Sequence, residues 1–206
     1  MNIVVFGASG GTGLEVVKRL LGKDYRVVAF VRDPARFPFK DSERLAAFRG
    51  DVLNQEQVDA VIAGCDAVVS VLGAKLTNKN TFICSKGIRN IIAAMKKTGA
   101  KRLIAQSAYG VKETRKGFGV GLAWFVLGDI MRDKELMEDE IERSGLDWTI
   151  VRPVKLTNGR FTGAARRGTD LKIRFPYSIS RTDVADFIVS ELVDQRYVKQ
   201  KVIISD

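Results

Sequence analysis

The first residues with evident chemistry follow the first apolar run: Gly7-Ala8-Ser9-Gly10-Gly11-Thr12-Gly13. The spacing is G-x-x-G-x-x-G, with Ser9 in the middle position of the commoner G-x-G-x-x-G. Glycines so placed, before apolar residues at helical intervals, permit a tight turn and let backbone N–H groups approach a pyrophosphate. The helix N-terminus adds partial positive charge. A glycine-rich structural turn is the alternative. At the end of the second apolar run stands Val31-Arg32-Asp33-Pro34-Ala35-Arg36. An arginine at such a position pairs with the 2′-phosphate of NADP, whereas a carboxylate bonds the free 2′-hydroxyl of NAD. Arg32 and Arg36 thus favour NADP(H), with Asp33 as the competing candidate.

Equally informative is what is missing. The chain has no His, which removes every histidine base, Ser-His-Asp triad and histidine metal ligand. Its two cysteines, Cys65 and Cys84, cannot build a Cys-rich metal site, so no metal centre is expected. Both lie in apolar or helical stretches and read as inert thiols of a reducing compartment, with a cytoplasmic location expected. Met1-Asn2-Ile3 has no basic segment of the kind that opens a signal peptide.

The elements that must position these groups alternate from the start. Strands are expected at Asn2–Phe6, Tyr25–Val31, Leu45–Phe48, Ala67–Leu72, Lys101–Gln106, Trp148–Arg152 and Val202–Ser205. Helices are expected from Leu14, Val17 and Leu21, then at Gln55–Ala63, Thr81–Lys97, Asp129–Ser144 and Thr182–Val193. Crossovers of this length build βαβ units, so the fold class is α/β: a doubly wound, mostly parallel, Rossmann-like sheet. At 206 residues, 46% of them hydrophobic, the chain makes one NAD(P)-binding domain over 1–206. Residues 153–181 are expected as a substrate-side elaboration. The apolar run Gly117–Gly128 is too short for a membrane span and reads as loop, lid or contact surface, within a lid over 108–127.

The net charge of +10 is unevenly spread. Residues 150–181 carry eight basic residues against Asp170, while Asp129–Glu142 carries seven acids against Arg132 and Lys134. No basic tail or aromatic interleaving accompanies the positive stretch. A solvated surface, or attraction of a small anionic molecule, fits better than nucleic-acid binding, which is not expected.

The segments FGASGGTGL, VRDPARFP, GDVLN, VLGAK, SKGIRNIIAAMKKTG, AQSA, ERSGLDWTIVRP and ISRTDVADF together resemble the NmrA-like branch of atypical short-chain dehydrogenases/reductases. Within it the chain is most similar to the NADPH-dependent flavin and biliverdin-IXβ reductases. The resemblance runs nearly end to end. It implies that Gly7, Gly10, Gly11, Thr12, Arg32 and Arg36 hold phosphates, that Asp51 and Val52 flank the adenine, and that Leu72 and Gly73 lie on the ribose side. It further implies that Pro153 and Val154 border the nicotinamide and that Ser107 is the polar residue beside the transferred hydride.

Departures from the family qualify the chemistry. The Tyr-x-x-x-Lys pair of typical members is missing at Tyr109, which Glu113 follows four residues later. Lys134 and Glu138 stand where the flavin/biliverdin reductases carry histidines, and Lys134 is a candidate to stabilise charge on a reduced acceptor. Without a positioned acid, simple ketones are poor substrates. A flavin, quinone or linear tetrapyrrole delocalises the charge, so an anionic conjugated acceptor is expected, with flavin as substrate and not as bound cofactor. A monomer is favoured. A non-catalytic NADP-binding redox sensor of NmrA type is the rival reading.

Overall fold

Asn2–Phe6 forms β1, whose last four residues are buried, and the chain then turns through Gly7 into α1 (Gly11–Leu21). Val16, Val17 and Leu20 form the buried face of α1, at the three- and four-residue spacing of a helix that covers one side of a sheet. The computed structural model describes residues 1–74, 82–116, 118–173 and 177–206. β2 (Arg26–Val31), β3 (Leu45–Arg49), α2 (Gln55–Ile62), β4 (Ala67–Ser70), α3 (Ile83–Thr98) and β5 (Arg102–Gln106) follow. The expected start of α3 at Thr81 lies outside the described residues. The second half adds α4 (Phe118–Glu142), β6 (Asp147–Pro153), the short β7 (Leu156–Thr157), β8 (Arg166–Gly168) and β9 (Ile179–Ser180), then α5 (Arg181–Asp194) and β10 (Gln200–Ser205).

The main sheet runs β3-β2-β1-β4-β5-β6-β10-β8, parallel except for β8, which pairs antiparallel with β10. The order reverses between β1 and β4, which opens a crevice at the carboxyl ends of those strands where open α/β sheets bind ligands. One face is covered by α1 and α5 and holds a core that includes Val5, Val69, Ile104 and Ile188. The other is covered by α2, α3 and α4 over Val4, Val68, Leu103 and Ile88. The single-domain, Rossmann-like expectation is met.

Two expectations need correction. The apolar run after Gly117 is not a loop: α4 begins at Phe118, eleven residues before the expected Asp129, and ends at Glu142. Gly121 and Gly128 read as helix breakers because each costs about 1 kcal/mol against alanine in a helix. The helix yields at one place only, Leu127, whose φ of −115° and ψ of 16° leave the helical region. Residues 153–181 do not lie wholly over the sheet either, since β8 within them joins its outer edge.

Candidate active site at the carboxyl edge of the sheet

The glycine loop owes its shape to steric necessity. Gly7 has φ +78°, and a Cβ there would lie 2.7 Å from the Val71 carbonyl oxygen. A Cβ on Gly13 would stand 2.1 Å from the Gly7 oxygen, so the first turn of α1 can press against the strand end only without side chains. The Gly10 N–H donates to Gly7 O at 2.9 Å, closing the turn. Ser9, Gly10 and Gly11 remain exposed and Thr12 is buried.

At the N-terminus of α1 the cap residue is Gly10, with no side-chain cap and no acid in the first turn. The leading N–H groups of a helix have no partners within it. At α2 the Asn54 side chain accepts from Gln57 N–H, and at α5 Ser180 accepts from Asp183 N–H. α3 borrows its cap from another helix: the two Asp133 carboxylate oxygens accept from Cys84 and Ser85 N–H at 2.9 and 2.8 Å. The start of α1 is therefore arranged to receive an anion from outside the chain.

The residues expected on the adenosine side lie at the ends of β2 and β3. Arg32 and Arg36 are exposed there. Asp33 is occupied: it accepts from Ala35 N–H at 3.1 Å, capping a short 3₁₀ turn, and pairs with Arg36 at 3.3 Å. Asp51 caps its own turn through Leu53 N–H. Val52 is buried and Leu72 partly buried over Gly87 of α3, where a Cβ would meet both side chains at 3.0 Å. No atom of the described residues lies within 4 Å of the Cβ position at Gly73.

Farther along the edge, three buried polar atoms have no partner among the described residues: Ser70 Oγ, Gln106 Oε1 and Ser107 Oγ. They lie where β4 and β5 end side by side, with Ser70 registered to Ala105 and Gln106 alternating to the other face of the sheet. Buried hydroxyls and amides are almost always satisfied, so each orphan marks a place that expects a ligand or water. Ser107 is 3% exposed and its N–H donates to Val151 O, yet its hydroxyl caps nothing. Pro153 and Val154 are buried beside it in the extension of β6, and Tyr109 N–H donates to Pro153 O. Burial, with neighbouring Tyr177, pushes the Tyr109 phenol up, so it stays protonated and is a poor acid.

Lys134 projects from α4 beneath these strand ends. Its ammonium donates to Leu72 O and Gln106 O, each at 2.7 Å, and the residue is 6% exposed. It joins the ends of two strands and does not extend into solvent. Counting back four residues from Lys134 puts Ile130 where a Tyr-x-x-x-Lys pair would carry its phenol. Glu138, one turn later, is fully buried and pairs with Arg152 at 2.6 Å. Arg152 also meets Glu113 at 2.5 Å. Burial opposes the Arg152 charge, but the two carboxylates outweigh it and raise the pKa. Lys112 holds Asp139 and Glu142 at 2.8 and 2.6 Å, so residues 112–113 are strapped to α4 and β6. Burial pushes both Cys65 and Cys84 thiols up to about 11, consistent with inert cysteines. A cavity of about 300 Å³ lined by Asn2, Arg26, Arg44 and Cys65 opens at the opposite edge, far from these groups.

Residues 7–195 match the family model described as NAD(P)H-binding. The chain belongs to the NAD(P)H-binding family. This NAD(P)H-binding protein is 29% identical to an uncharacterized chloroplastic protein of Arabidopsis thaliana, over 94% of its own length and 72% of the relative's. Its fold matches the anaerobillin reductase ChuY of Escherichia coli O157:H7 with a TM-score of 0.82 at 23% identity, covering 99% of this chain and 96% of that one. It also matches a short-chain dehydrogenase/reductase of Veillonella parvula in complex with NADP, with a TM-score of 0.83 at 18% identity, over 100% and 94% of the two chains. The two structures establish the Rossmann-like fold that the sequence resemblance implies. Among the described residues no helix is long and apolar enough to cross a membrane.

Proposed function

We propose that this protein is an NADPH-dependent reductase that delivers hydride to a conjugated acceptor: a flavin, a quinone or a linear tetrapyrrole. The observation that supports the reading is the end of β5, where Ser107 offers a hydroxyl without a partner among the described residues and Lys134 is committed to two carbonyls, with Ile130 and no tyrosine four residues before it. NADPH supplies the hydride when bound. The N–H groups of Gly11 and Thr12 hold the pyrophosphate, with Gly10 and Gly7 closing the turn beneath it. Ser9 and Gly13 keep the loop in shape, and Arg32 with Arg36 receives the 2′-phosphate. Asp33 is spent on its own turn, which argues against its bonding a ribose hydroxyl. Asp51 and Val52 flank the adenine, Leu72 and Gly73 the ribose, and Pro153 and Val154 the nicotinamide. Ser107 orients the nicotinamide or the acceptor by a hydrogen bond, and Lys134 fixes the two strand ends that set the distance between them.

A ketone needs a proton at the oxygen that becomes an alkoxide, and the described residues include no tyrosine four residues before Lys134 to give one. A flavin or quinone spreads the charge over its ring and takes its proton from water. Flavin is thus a substrate, not a resident cofactor. The outer part of α4, residues 118–127, with exposed Leu122, Phe125 and Val126, closes over the acceptor as a lid pivoting at Leu127. Residues 108–116 are its fixed base, and the basic segment within 153–181 draws in acceptor phosphates or carboxylates.

The test is NADPH consumption against a panel of flavins, quinones, bilins, aldehydes and ketones. Turnover confined to the conjugated acceptors is expected. Efficient ketone reduction would overturn the acceptor class. Tight NADPH binding without turnover would replace the enzyme with a redox sensor.

A further inference from the structure

Arg181 opens α5, yet its side chain leaves that helix and lies on the glycine loop. A Cβ placed on Gly11 would stand 2.7 Å from Arg181 Cδ and 2.8 Å from Nε, so the guanidinium stem rests directly over the first residue of α1. One guanidinium nitrogen donates to Asn158 Oδ1 at 2.6 Å. The backbone under Arg181 is firmly held. Ser180 caps α5, and the buried carboxylate of Asp183 accepts from Ser180 Oγ and from the Thr162 and Gly163 N–H groups. A cation carried by a rigid joint is thereby delivered to the one helix start whose N–H groups no side chain of this protein caps among α1, α2, α3 and α5.

We infer that Arg181 is a clamp on the cofactor's pyrophosphate, closing over the glycine loop from α5. The inference rests on the dinucleotide reading and adds a cation that the glycine motif does not contain. Asn158 holds the guanidinium through a neutral acceptor. An anion at the α1 N-terminus offers it ionised acceptors as well, which add ion-pair attraction to the hydrogen bond. The remaining guanidinium hydrogens form a planar fork suited to phosphate oxygens. Because the pyrophosphate is common to NADPH and NADH, Arg181 sets affinity for both, while Arg32 discriminates between them. The glycine at position 11 is required on this account for a second reason: it leaves room for the arginine as well as for the phosphate.

The experiment measures binding by calorimetry and by competition with NADPH fluorescence, using ADP, which carries the pyrophosphate alone, and 2′-AMP, which carries the 2′-phosphate alone. Arg181→Ala is expected to weaken NADPH, NADH and ADP alike by about 10-fold or more, the range of a lost hydrogen bond to a charged group. It leaves 2′-AMP within about twofold. Arg32→Ala is expected to weaken 2′-AMP and NADPH and to leave ADP and NADH nearly unchanged. Arg181→Lys recovers part of the ADP affinity, and Asn158→Ala retains it because the cation remains. Arg181→Ala protein that binds ADP and NADPH as the unaltered chain does would overturn the inference. So would an Asn158→Ala loss as large as that of Arg181→Ala, since the strap would then be structural. Should Arg181→Ala fail to fold, Arg181→Gln keeps the aliphatic stem over Gly11 without the charge, and the same outcomes apply. An unaltered protein that binds neither NADPH nor ADP would instead bring down the dinucleotide reading itself.

Discussion

The N-termini of α1 and α3 lie on opposite faces of one sheet, and they solve the same electrostatic problem in opposite ways. Both present unpaired N–H groups and partial positive charge at the carboxyl edge. α3 is closed from within the molecule by Asp133, which reaches from α4 to accept from two successive N–H groups. α1 is left open, flanked by glycines and without an acid in its first turn. A filled helix end fixes one element against another, and an open one receives a ligand. The neighbour of Asp133 shows what the filled end achieves, since Lys134 is held in the register that lets it join β4 and β5.

The sharpest way to break the comparison is at the open end. Gly13→Ala would force a Cβ to within 2.1 Å of the Gly7 carbonyl, a backbone atom that cannot swing aside. It should lower stability by about 3 kcal/mol or more and abolish dinucleotide binding. Denaturant unfolding and NADPH titration check both, and binding that survives would mean the loop is not the phosphate seat.

At the filled end the damage should be to stability and not to affinity. Asp133→Asn keeps the shape but loses the charge and one of two acceptors, an expected cost of about 2–3 kcal/mol. A thermal midpoint lower by about 4–10 °C, with NADPH affinity reduced much less, is the expected pattern. Unchanged melting would show that α3 does not rely on its borrowed cap.

Smaller again is the effect of Arg32→Ala, which should remove a preference for NADPH over NADH of at least about 10-fold, or about 1.4 kcal/mol. Paired titrations with the two cofactors measure it. Equal affinities in the unaltered protein would promote Asp33 in its place.

The smallest expected effect belongs to Glu113, whose half-exposed carboxylate pairs with Arg152. Burial pushes this carboxyl up, but the Arg152 guanidinium, helped by Lys201, outweighs it and lowers the pKa to about 2 from 4.5. A depressed folded-state pKa stabilises above the unfolded value and loses that contribution as pH falls. Glu113→Gln should therefore lower the melting temperature slightly near neutrality, with the gap to the unaltered protein narrowing from about 4.5 down to about 2. A gap constant with pH would assign the contact to packing alone, and solvent screening keeps the effect modest.

Most of this architecture was legible in order of residues. Continuous apolar runs marked the buried parallel strands, and the glycine motif located the open helix end, because both signals are local. The filled end was not legible, since Asp133 caps residues 48 and 49 positions away and nothing near Cys84 announces it. Nor was the upstream half of α4, which stays helical through Gly121 with Leu122, Phe125 and Val126 exposed. Arg152 read as one of eight surface cations, but it is 1% exposed, because Glu138 and Glu113 come from elements that only the fold brings to it. Arg181 was closer to reach: Ser180 and Asp183 form the S-x-x-D pattern of a helix start, which places the arginine at the first helical position.

The antiparallel β8 has a consequence for how copies of this molecule meet. An eight-stranded sheet leaves two borders whose unpaired backbone groups invite another chain to extend it. On one border that invitation is blunted: β8 is three residues long, reads Arg-Arg-Gly, and is tied down by the Arg166 guanidinium on the Asp206 carbonyl at 3.0 Å. A second copy adding its own β8 there would stack arginine against arginine across the seam. The segment that lengthens the sheet also terminates it, which guards a concentrated solution of this protein against growing end to end.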